Sequence, residues 1–290
     1  MKKPFFTGVC TALVTPFTDG KINYPMLEVL LARQMEAGIE AVVLSGTTGE
    51  SATLSDEEKL ELFRFAKALT GARMKIIAGT GSNSTAHAIS LSQAAETCGA
   101  DALLVVSPYY NKATPQGLHA HYLSLASAVS IPVILYNVPS RTGVDIPVSV
   151  YRSLSRIPNI AGVKEATTDV TKITKIRNAC GDDFAIWSGN DDLTTPVISL
   201  GGQGVISVLS NLLPAEMQDL VRAALDGDFD TASDLQCKLQ PLAELLFCEV
   251  NPIPVKAALS ILGLDCGPCR LPLTPMSAEN YRKLEAYLRR

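Results

Sequence analysis

Eight short apolar runs, each followed by a polar or Gly-rich loop and a helix-length stretch, constrain this chain more than any other feature. The runs are Val9–Val14, Ala41–Leu44, Lys75–Ala78, Ala102–Val106, Val133–Tyr136, Ile160–Val163, Phe184–Trp187 and Gly204–Val208, roughly 20–35 residues apart. They are nearly unbroken rather than alternating, as parallel strands covered on both faces must be. Between them, Met26/Leu27/Leu30/Leu31/Met35 and Leu60/Leu62/Phe63/Ala66/Leu69 recur at the helical period. Ser55-Asp56-Glu57-Glu58 reads as a capping box that starts a helix. Cys98-Gly99 and Cys180-Gly181 read as helix ends, because Gly takes the left-handed conformation cheaply.

Strands alternating with amphipathic helices imply a parallel sheet under a helical layer, and eight units predict a closed (β/α)8 barrel over residues 1–225. A doubly wound sheet is the alternative, but no G-x-G-x-x-G turn follows any strand. From about Pro214 the strands stop, and residues 226–290 read as a helical appendage punctuated at Asn251-Pro252 and Leu264–Pro275. The pattern does not say what that appendage packs against.

A chain of 290 residues can bury its own core without metal or disulfide staples, and 47% apolar content excludes disorder. Lys+Arg 25 against Asp+Glu 29 leaves a net charge of −4 with no basic stripe, which argues against nucleic acid or an anionic membrane as partner. Lys2-Lys3 before apolar residues imitates a secretory leader. Pro4, Thr7, Gly8 and Thr11 interrupt it, so the segment is expected to be a strand. No run approaches the roughly 18 apolar residues of a membrane span. Seven cysteines, odd in number and scattered from Cys10 to Cys269, predict reduced thiols and a cytoplasmic location.

In such barrels the chemistry sits at the C-terminal strand ends and the loops beyond them. After the second strand, Gly46-Thr47-Thr48-Gly49-Glu50-Ser51 can turn backbone amides and hydroxyls toward one small anion. No Lys or Arg follows in the loop, so carboxylate fits better than phosphate. The fourth strand ends in Ser107-Pro108-Tyr109-Tyr110, which can supply a phenolic proton relay or a packing ring. The fifth ends in Tyr136-Asn137-Val138-Pro139-Ser140-Arg141-Thr142-Gly143, where Arg141 can grip a carboxylate bidentately or simply face solvent.

The sixth run closes on Lys164. A buried lysine is rare without a partner or a function. Removal from water favours its neutral amine, the nucleophile that forms a Schiff base with a ketone. An ion pair with Glu165 is the plain alternative, but adjacent strand residues point to opposite faces.

Two further patterns carry little. Cys266-Gly267-Pro268-Cys269 looks like a redox motif, but Pro272 and Pro275 deny the helix that would depress a thiol pKa. One C-x-x-C without a second pair of ligands does not make a zinc site. His119 and His121, two apart on a predicted helix, face different directions. No metal is expected.

Taken together, Gly46–Ser51, Tyr109-Tyr110, Tyr136–Thr142 and Gly162–Ala166 resemble the dihydrodipicolinate synthase family of pyruvate-dependent class I aldolases. The resemblance runs through Ser188-Gly189-Asn190-Asp191 and Gly204-Val205-Ile206-Ser207 into Asn251-Pro252-Ile253-Pro254-Val255-Lys256. It implies that Lys164 forms an imine with pyruvate, whose carboxylate Thr47 and Thr48 hold in a pocket lined by Gly189 and Ile206. The enamine then attacks aspartate semialdehyde, held by Arg141, to give 4-hydroxy-tetrahydrodipicolinate for lysine and diaminopimelate biosynthesis. It further implies a proton relay of Thr48, Tyr136 and Tyr110, the last supplied across a dimer interface, and a homotetramer without cofactor beyond the covalent imine. A lyase for N-acetylneuraminate or 2-keto-3-deoxy sugar acids would use the same lysine; Arg141 favours the synthase, because a short carboxylated aldehyde needs it.

Family members often bind lysine as a feedback inhibitor at that interface. The corresponding positions here are Ser51, Ala52, Asp56, Lys59, Asn83, His87 and Tyr109. Lys59 puts a cation where the inhibitor's ammonium would sit, and His87 replaces a carboxylate, so insensitivity to lysine is expected.

Overall fold

Apolar on both sides, the eight runs are satisfied only by pairing in parallel beneath helices, and the computed structural model, which describes residues 3–289, has that arrangement. Lys2 of the leader-like Lys2-Lys3 pair lies outside the described residues, as do Met1 and Arg290. The barrel strands are β1 (Gly8–Ala12), β2 (Ala41–Leu44), β3 (Lys75–Gly79), β4 (Ala102–Val106), β5 (Val133–Asn137), β6 (Ile160–Glu165), β7 (Ala185–Ser188) and β8 (Gly204–Ser207). Each pairs in parallel with its neighbour in sequence, and β8 closes on β1 with Gly8 opposite Gly204. The expected (β/α)8 barrel is therefore the fold.

Its outer layer is α1 (Tyr24–Glu36), α2 (Asp56–Thr70), α3 (Thr85–Thr97), α4 (Pro115–Ser127), α5 (Val148–Leu154), α6 (Thr171–Cys180), α7 (Thr194–Ser199) and α8 (Pro214–Leu225). Both limbs of the capping box form at α2, where Ser55 Oγ accepts from Glu58 N at 3.2 Å and Ser55 N donates to Glu58 Oε2 at 2.9 Å. Beyond the barrel come α9 (Phe229–Leu246), α10 (Ile253–Ile261) and α11 (Ala278–Leu288). Among the described residues no helix is long and apolar enough to cross a membrane.

Two strand limits differ from the apolar runs. The first strand stops at Ala12, and the sixth runs on through Lys164 and Glu165. A carboxylate can occupy a buried strand only when its oxygens find donors. Glu165 has them: Asn137 Nδ2 at 2.7 Å, Tyr151 Oη at 2.9 Å and the backbone N–H of Thr167 at 3.1 Å.

Side-chain alternation divides the core. One apolar cluster fills the barrel interior with Cys10, Val43, Ile77, Leu104, Ile134 and Ile206. Phe6 stacks on Trp187 at 4.7 Å to close that cluster. A larger cluster lies between strands and helices. The appendage packs on α7 and α8 through α9, and polar contacts fasten it to the loop after β2. There Lys256 pairs with Glu50 at 2.8 Å, and Arg270 reaches Glu58 and the Thr53 carbonyl.

Candidate active site

At the C-terminal ends of β5 and β6 the pleat separates neighbouring residues. Tyr136 and Lys164 stand opposite each other in register, as do Asn137 and Glu165. Tyr136 and Lys164 enter the barrel, with the Lys164 ammonium nitrogen 4.5 Å from the centre of the Tyr136 ring. Asn137 and Glu165 turn outward beneath the helices. Asn137 Nδ2 bridges Glu165 Oε1 at 2.7 Å and Asp145 Oδ1 at 2.8 Å, and Lys172 supplies the cation, 3.3 Å from Glu165 Oε2. Burial raises the Glu165 carboxyl above its ordinary range against the opposing pull of Lys172, Asn137 and Tyr151. The counter-ion of Glu165 is thus Lys172, and Lys164 faces the cavity.

That cavity, of about 170 Å³, is walled by Thr47, Thr48, Tyr136, Arg141, Lys164 and Gly189. Lys164 is 5% exposed. Below it, burial pushes the Cys10 thiol far above its usual value despite the opposing charge of Lys164, so Cys10 stays neutral. Thr48 is buried, and its Oγ1 accepts a hydrogen bond from Asn251 Nδ2 at 2.9 Å. Gly189 suits its position because an added Cβ would lie 2.7 Å from the Ala166 Cβ. Its N–H bonds the Glu165 carbonyl at 2.8 Å, locking the loop after β7 to the end of β6. Beside it Asp191 accepts from the backbone N–H groups of Val208 and Leu209, each at 3.0 Å. Burial raises the Asp191 carboxyl against those bonds, the Ser207 hydroxyl and the charge of Lys164.

Two predicted residues lie apart from this cavity. Ile206 is fully buried in the barrel interior. Tyr110 is 89% exposed, in a left-handed backbone conformation at φ 77°. Among the wall residues that were not candidate site residues in the sequence are Asn190, Phe247 and Asn251. Asn251 has the most contacts of consequence, since its backbone carbonyl also accepts from Arg141 Nη2 at 3.3 Å. Its sequence signal was its place directly before Pro252, at the head of the Asn251–Lys256 segment that shares in the resemblance.

A second cavity, of about 550 Å³, adjoins the first and shares Thr47, Arg141 and Asn251 with it. Ser51, Ala52, Lys59, His87 and Tyr109 wall it, while Asn83 is exposed nearby. Asp56 holds Lys59 Nζ at 3.3 Å and His87 Nε2 at 2.7 Å. Partial burial works against the Asp56 carboxylate, yet the hydrogen bonds from His87 and Lys59 prevail and keep its pKa below the ordinary value.

The discounted motifs have structural places of their own. Cys266 is buried and its thiol bonds the Leu264 carbonyl at 3.4 Å. Burial pushes Cys266 up to about 12 and Cys269 up to about 11, the reverse of a reactive redox pair. His121 is buried against Thr85, with Nδ1 2.9 Å from Oγ1. Among the described residues no three His, Cys, Asp or Glu side chains come together in a group that could hold a metal ion.

A closed parallel barrel whose sixth strand ends in a buried lysine, in a cavity that Thr47, Thr48 and Arg141 also wall, is the architecture of an aldolase-type lyase. The sequence profile of the Dihydrodipicolinate synthetase family matches residues 5–290. The chain belongs to that family. The 4-hydroxy-tetrahydrodipicolinate synthase of Acetivibrio thermocellus is 44% identical over 289 residues, covering 100% of this chain and 98% of its own. A crystal structure of dihydrodipicolinate synthase from Aquifex aeolicus superposes with a TM-score of 0.96 at 45% identity, covering 98% of this chain and 97% of that one. The enzyme from Cyanidioschyzon merolae, crystallised with lysine bound, superposes with a TM-score of 0.95 at 43% identity and the same coverage of 98% and 97%.

Proposed function

We propose that this chain is a lyase that condenses pyruvate with L-aspartate 4-semialdehyde to 4-hydroxy-tetrahydrodipicolinate, in lysine and diaminopimelate biosynthesis. The observation that carries the reading is Lys164, buried at the end of β6 with its nitrogen over the Tyr136 ring and facing a cavity that Arg141 borders.

The Lys164 amine adds to the pyruvate ketone and water leaves, giving an imine. Thr47 and Thr48 hold the pyruvate carboxylate beside it. The cationic imine draws electrons from the methyl carbon, which loses a proton and becomes the enamine nucleophile. That carbon bonds to the aldehyde carbon of aspartate semialdehyde, and the aldehyde oxygen takes up a proton to become a hydroxyl. Arg141 grips the acceptor's carboxylate. The acceptor's amine then attacks the imine carbon, the bond to Lys164 breaks and the heterocycle closes. Thr48 and Tyr136 carry protons in these steps together with Tyr110 of a second copy of the chain, for which its exposure leaves it available. Gly189 and Ile206 shape the pyruvate side. Substrate supplies the electron sink through its imine, so the scheme uses no further cofactor.

The barrel of residues 1–225 carries this chemistry, and region 226–290 is an accessory that contributes Asn251 and Lys256. A homotetramer in the cytoplasm fits the need for a partner's Tyr110 and the odd count of seven cysteines. The second cavity, with Lys59 and His87 sharing Asp56, is read as a lysine-effector site that has lost its ligand.

The test is the rate of pyruvate condensation with aspartate semialdehyde, coupled to NADPH oxidation by added dihydrodipicolinate reductase. Activity that vanishes in Lys164→Ala, together with pyruvate-dependent borohydride trapping on Lys164, is expected. A folded protein inactive with this acceptor yet trapped by pyruvate would move the sugar-acid lyases to first place.

A further inference from the structure

Four lysines and three carboxylates are buried among the described residues: Lys59, Lys164, Lys172 and Lys256, with Glu50, Glu165 and Asp191. Three of the lysines have partners in contact. Lys256 pairs with Glu50 at 2.8 Å, Lys172 with Glu165 at 3.3 Å, and Lys59 with the more exposed Asp56 at 3.3 Å. Lys164 and Asp191 are left over, one group of each sign, and neither makes an ion pair at contact distance among the described residues.

The fold brings these two to one place. Lys164 lies near the end of β6 and borders the reaction cavity, whose wall includes Asn190 and Val208. Asp191 follows Asn190, and its Oδ2 accepts the backbone N–H groups of Val208 and Leu209, each at 3.0 Å. The carboxylate therefore sits behind that part of the wall, where the charge of Lys164 acts on it. The Gly189 N–H bonds the Glu165 carbonyl at 2.8 Å, which ties the loop carrying Asp191 to the end of the strand carrying Lys164. From the other side Gln236 Nε2 donates to the Asp191 backbone carbonyl at 3.0 Å.

A buried charge is costly unless an opposite charge or hydrogen bonds compensate it. A carboxylate touching Lys164 would hold its ammonium and obstruct the amine. One fixed behind the wall compensates a cation at Lys164 and leaves the nitrogen free to react. We infer that Asp191 is a positioning residue that acts on Lys164 through charge, stabilising the cationic imine formed there with pyruvate. This inference rests on the imine chemistry proposed above and is independent of the acceptor. Charge already in place in a water-poor site needs no reorganisation when the cation forms. The other titratable or charged groups around Lys164 are Tyr136 from β5, Cys10 from β1 and Arg141 from the loop beyond β5, and none of these is a carboxylate.

The experiment follows the rate of pyruvate-dependent cyanoborohydride trapping on Lys164 as a function of pH, with kcat for condensation beside it, in the unaltered enzyme and in Asp191→Asn. Asn keeps an oxygen for the Val208 and Leu209 N–H groups and removes the charge. Without the anion an ammonium is less favoured, so the midpoint of the trapping profile should move about one pH unit lower and kcat should fall by about tenfold. Gln236→Leu loosens the same turn with the carboxylate in place, and its midpoint should match that of the unaltered enzyme. Should Asp191→Asn not fold, Asp191→Ser removes the charge a second way, with the same shift expected. An unchanged midpoint in the folded charge-removing variant, or an equal shift in Gln236→Leu, would overturn the inference. If pyruvate does not trap Lys164 in the unaltered enzyme, the imine itself falls, and the proposed function with it.

Discussion

Glu50 and Lys256, 206 residues apart in sequence, meet at 2.8 Å with side chains 1% and 3% exposed. Glu50 belongs to the Thr47-Thr48 loop and sits in a left-handed backbone conformation at φ 58°, which costs a non-glycine residue about 1–3 kcal/mol unless its surroundings enforce it. Lys256 on α10 and the backbone N–H of Arg270, at 2.8 Å from the other carboxylate oxygen, do the enforcing. Lys256→Met strands a buried carboxylate and should cost roughly 3–5 kcal/mol in urea denaturation. The double change with Glu50→Gln should recover most of that loss. Equal stability of the single variant and the unaltered protein would show that the pair does not anchor the loop.

The Lys164 ammonium nitrogen lies 4.5 Å from the centre of the Tyr136 ring, and both side chains wall the same cavity. Tyr136→Phe keeps the ring that packs on the ammonium and removes only the hydroxyl. The expected result is a fall in kcat of about 10²–10⁴ with pyruvate-dependent borohydride trapping on Lys164 still detectable. A kcat within a few-fold of the starting value would remove Tyr136 from the proton relay.

The barrel was readable because both faces of each strand are covered, so the apolar runs needed no partner to be recognised. Lys164 stood out for the same reason, as a charge ending such a run. Glu165 was legible as the strand neighbour of Lys164 on the opposite face, but its four donors were not, since they come from Asn137, Tyr151, Thr167 and Lys172, which sequence spacing does not bring together. The appendage was legible as helices but not as part of the site. Arg270 meets Glu58 across 212 residues and Asn251 meets Thr48 across 203, contacts fixed by tertiary closure rather than by any local pattern.

His121 on α4 gives the fold a pH dependence of known sign. Burial pushes its pKa down to about 4, from an ordinary value of 6.5. Between those values the unfolded chain binds the proton more readily than the folded one, so stability rises with pH there. The contribution is complete above about pH 6.5 and drains as pH falls toward 4, amounting to on the order of 2 kcal/mol between pH 7 and 4.5. Urea denaturation at those two pH values should give a difference smaller by about that amount in His121→Met. An unchanged difference would assign the pH dependence to other groups.

Cys266 and Cys269 should behave as buried thiols rather than as a redox pair. Burial holds both thiol pKa values up, near 12 and 11, so thiolate is scarce at pH 8. Cys237 and Cys248 are exposed. Brief treatment of the native protein with a maleimide, read by peptide mass spectrometry, should label Cys237 and Cys248 first and leave Cys266 unmodified. Early labelling of Cys266, or a disulfide formed with Cys269 under mild oxidant, would restore the redox reading.

Lysine should leave the condensation rate unchanged. A cationic amino acid entering the 550 Å³ cavity needs a free carboxylate for its ammonium, and Asp56 already bonds Lys59 at 3.3 Å and His87 at 2.7 Å. Lys59 is itself buried at the cavity wall, so a second ammonium there meets like charge with little solvent between them. At the effective dielectric of a partly buried site the repulsion is on the order of 1–3 kcal/mol, enough to weaken binding by about fivefold or more. Steady-state rates with lysine up to several millimolar are expected to match the rate without it. Half-inhibition below 1 mM would mean that Lys59 swings out and frees Asp56 for the ligand, and Lys59→Ala would then be expected to tighten inhibition further.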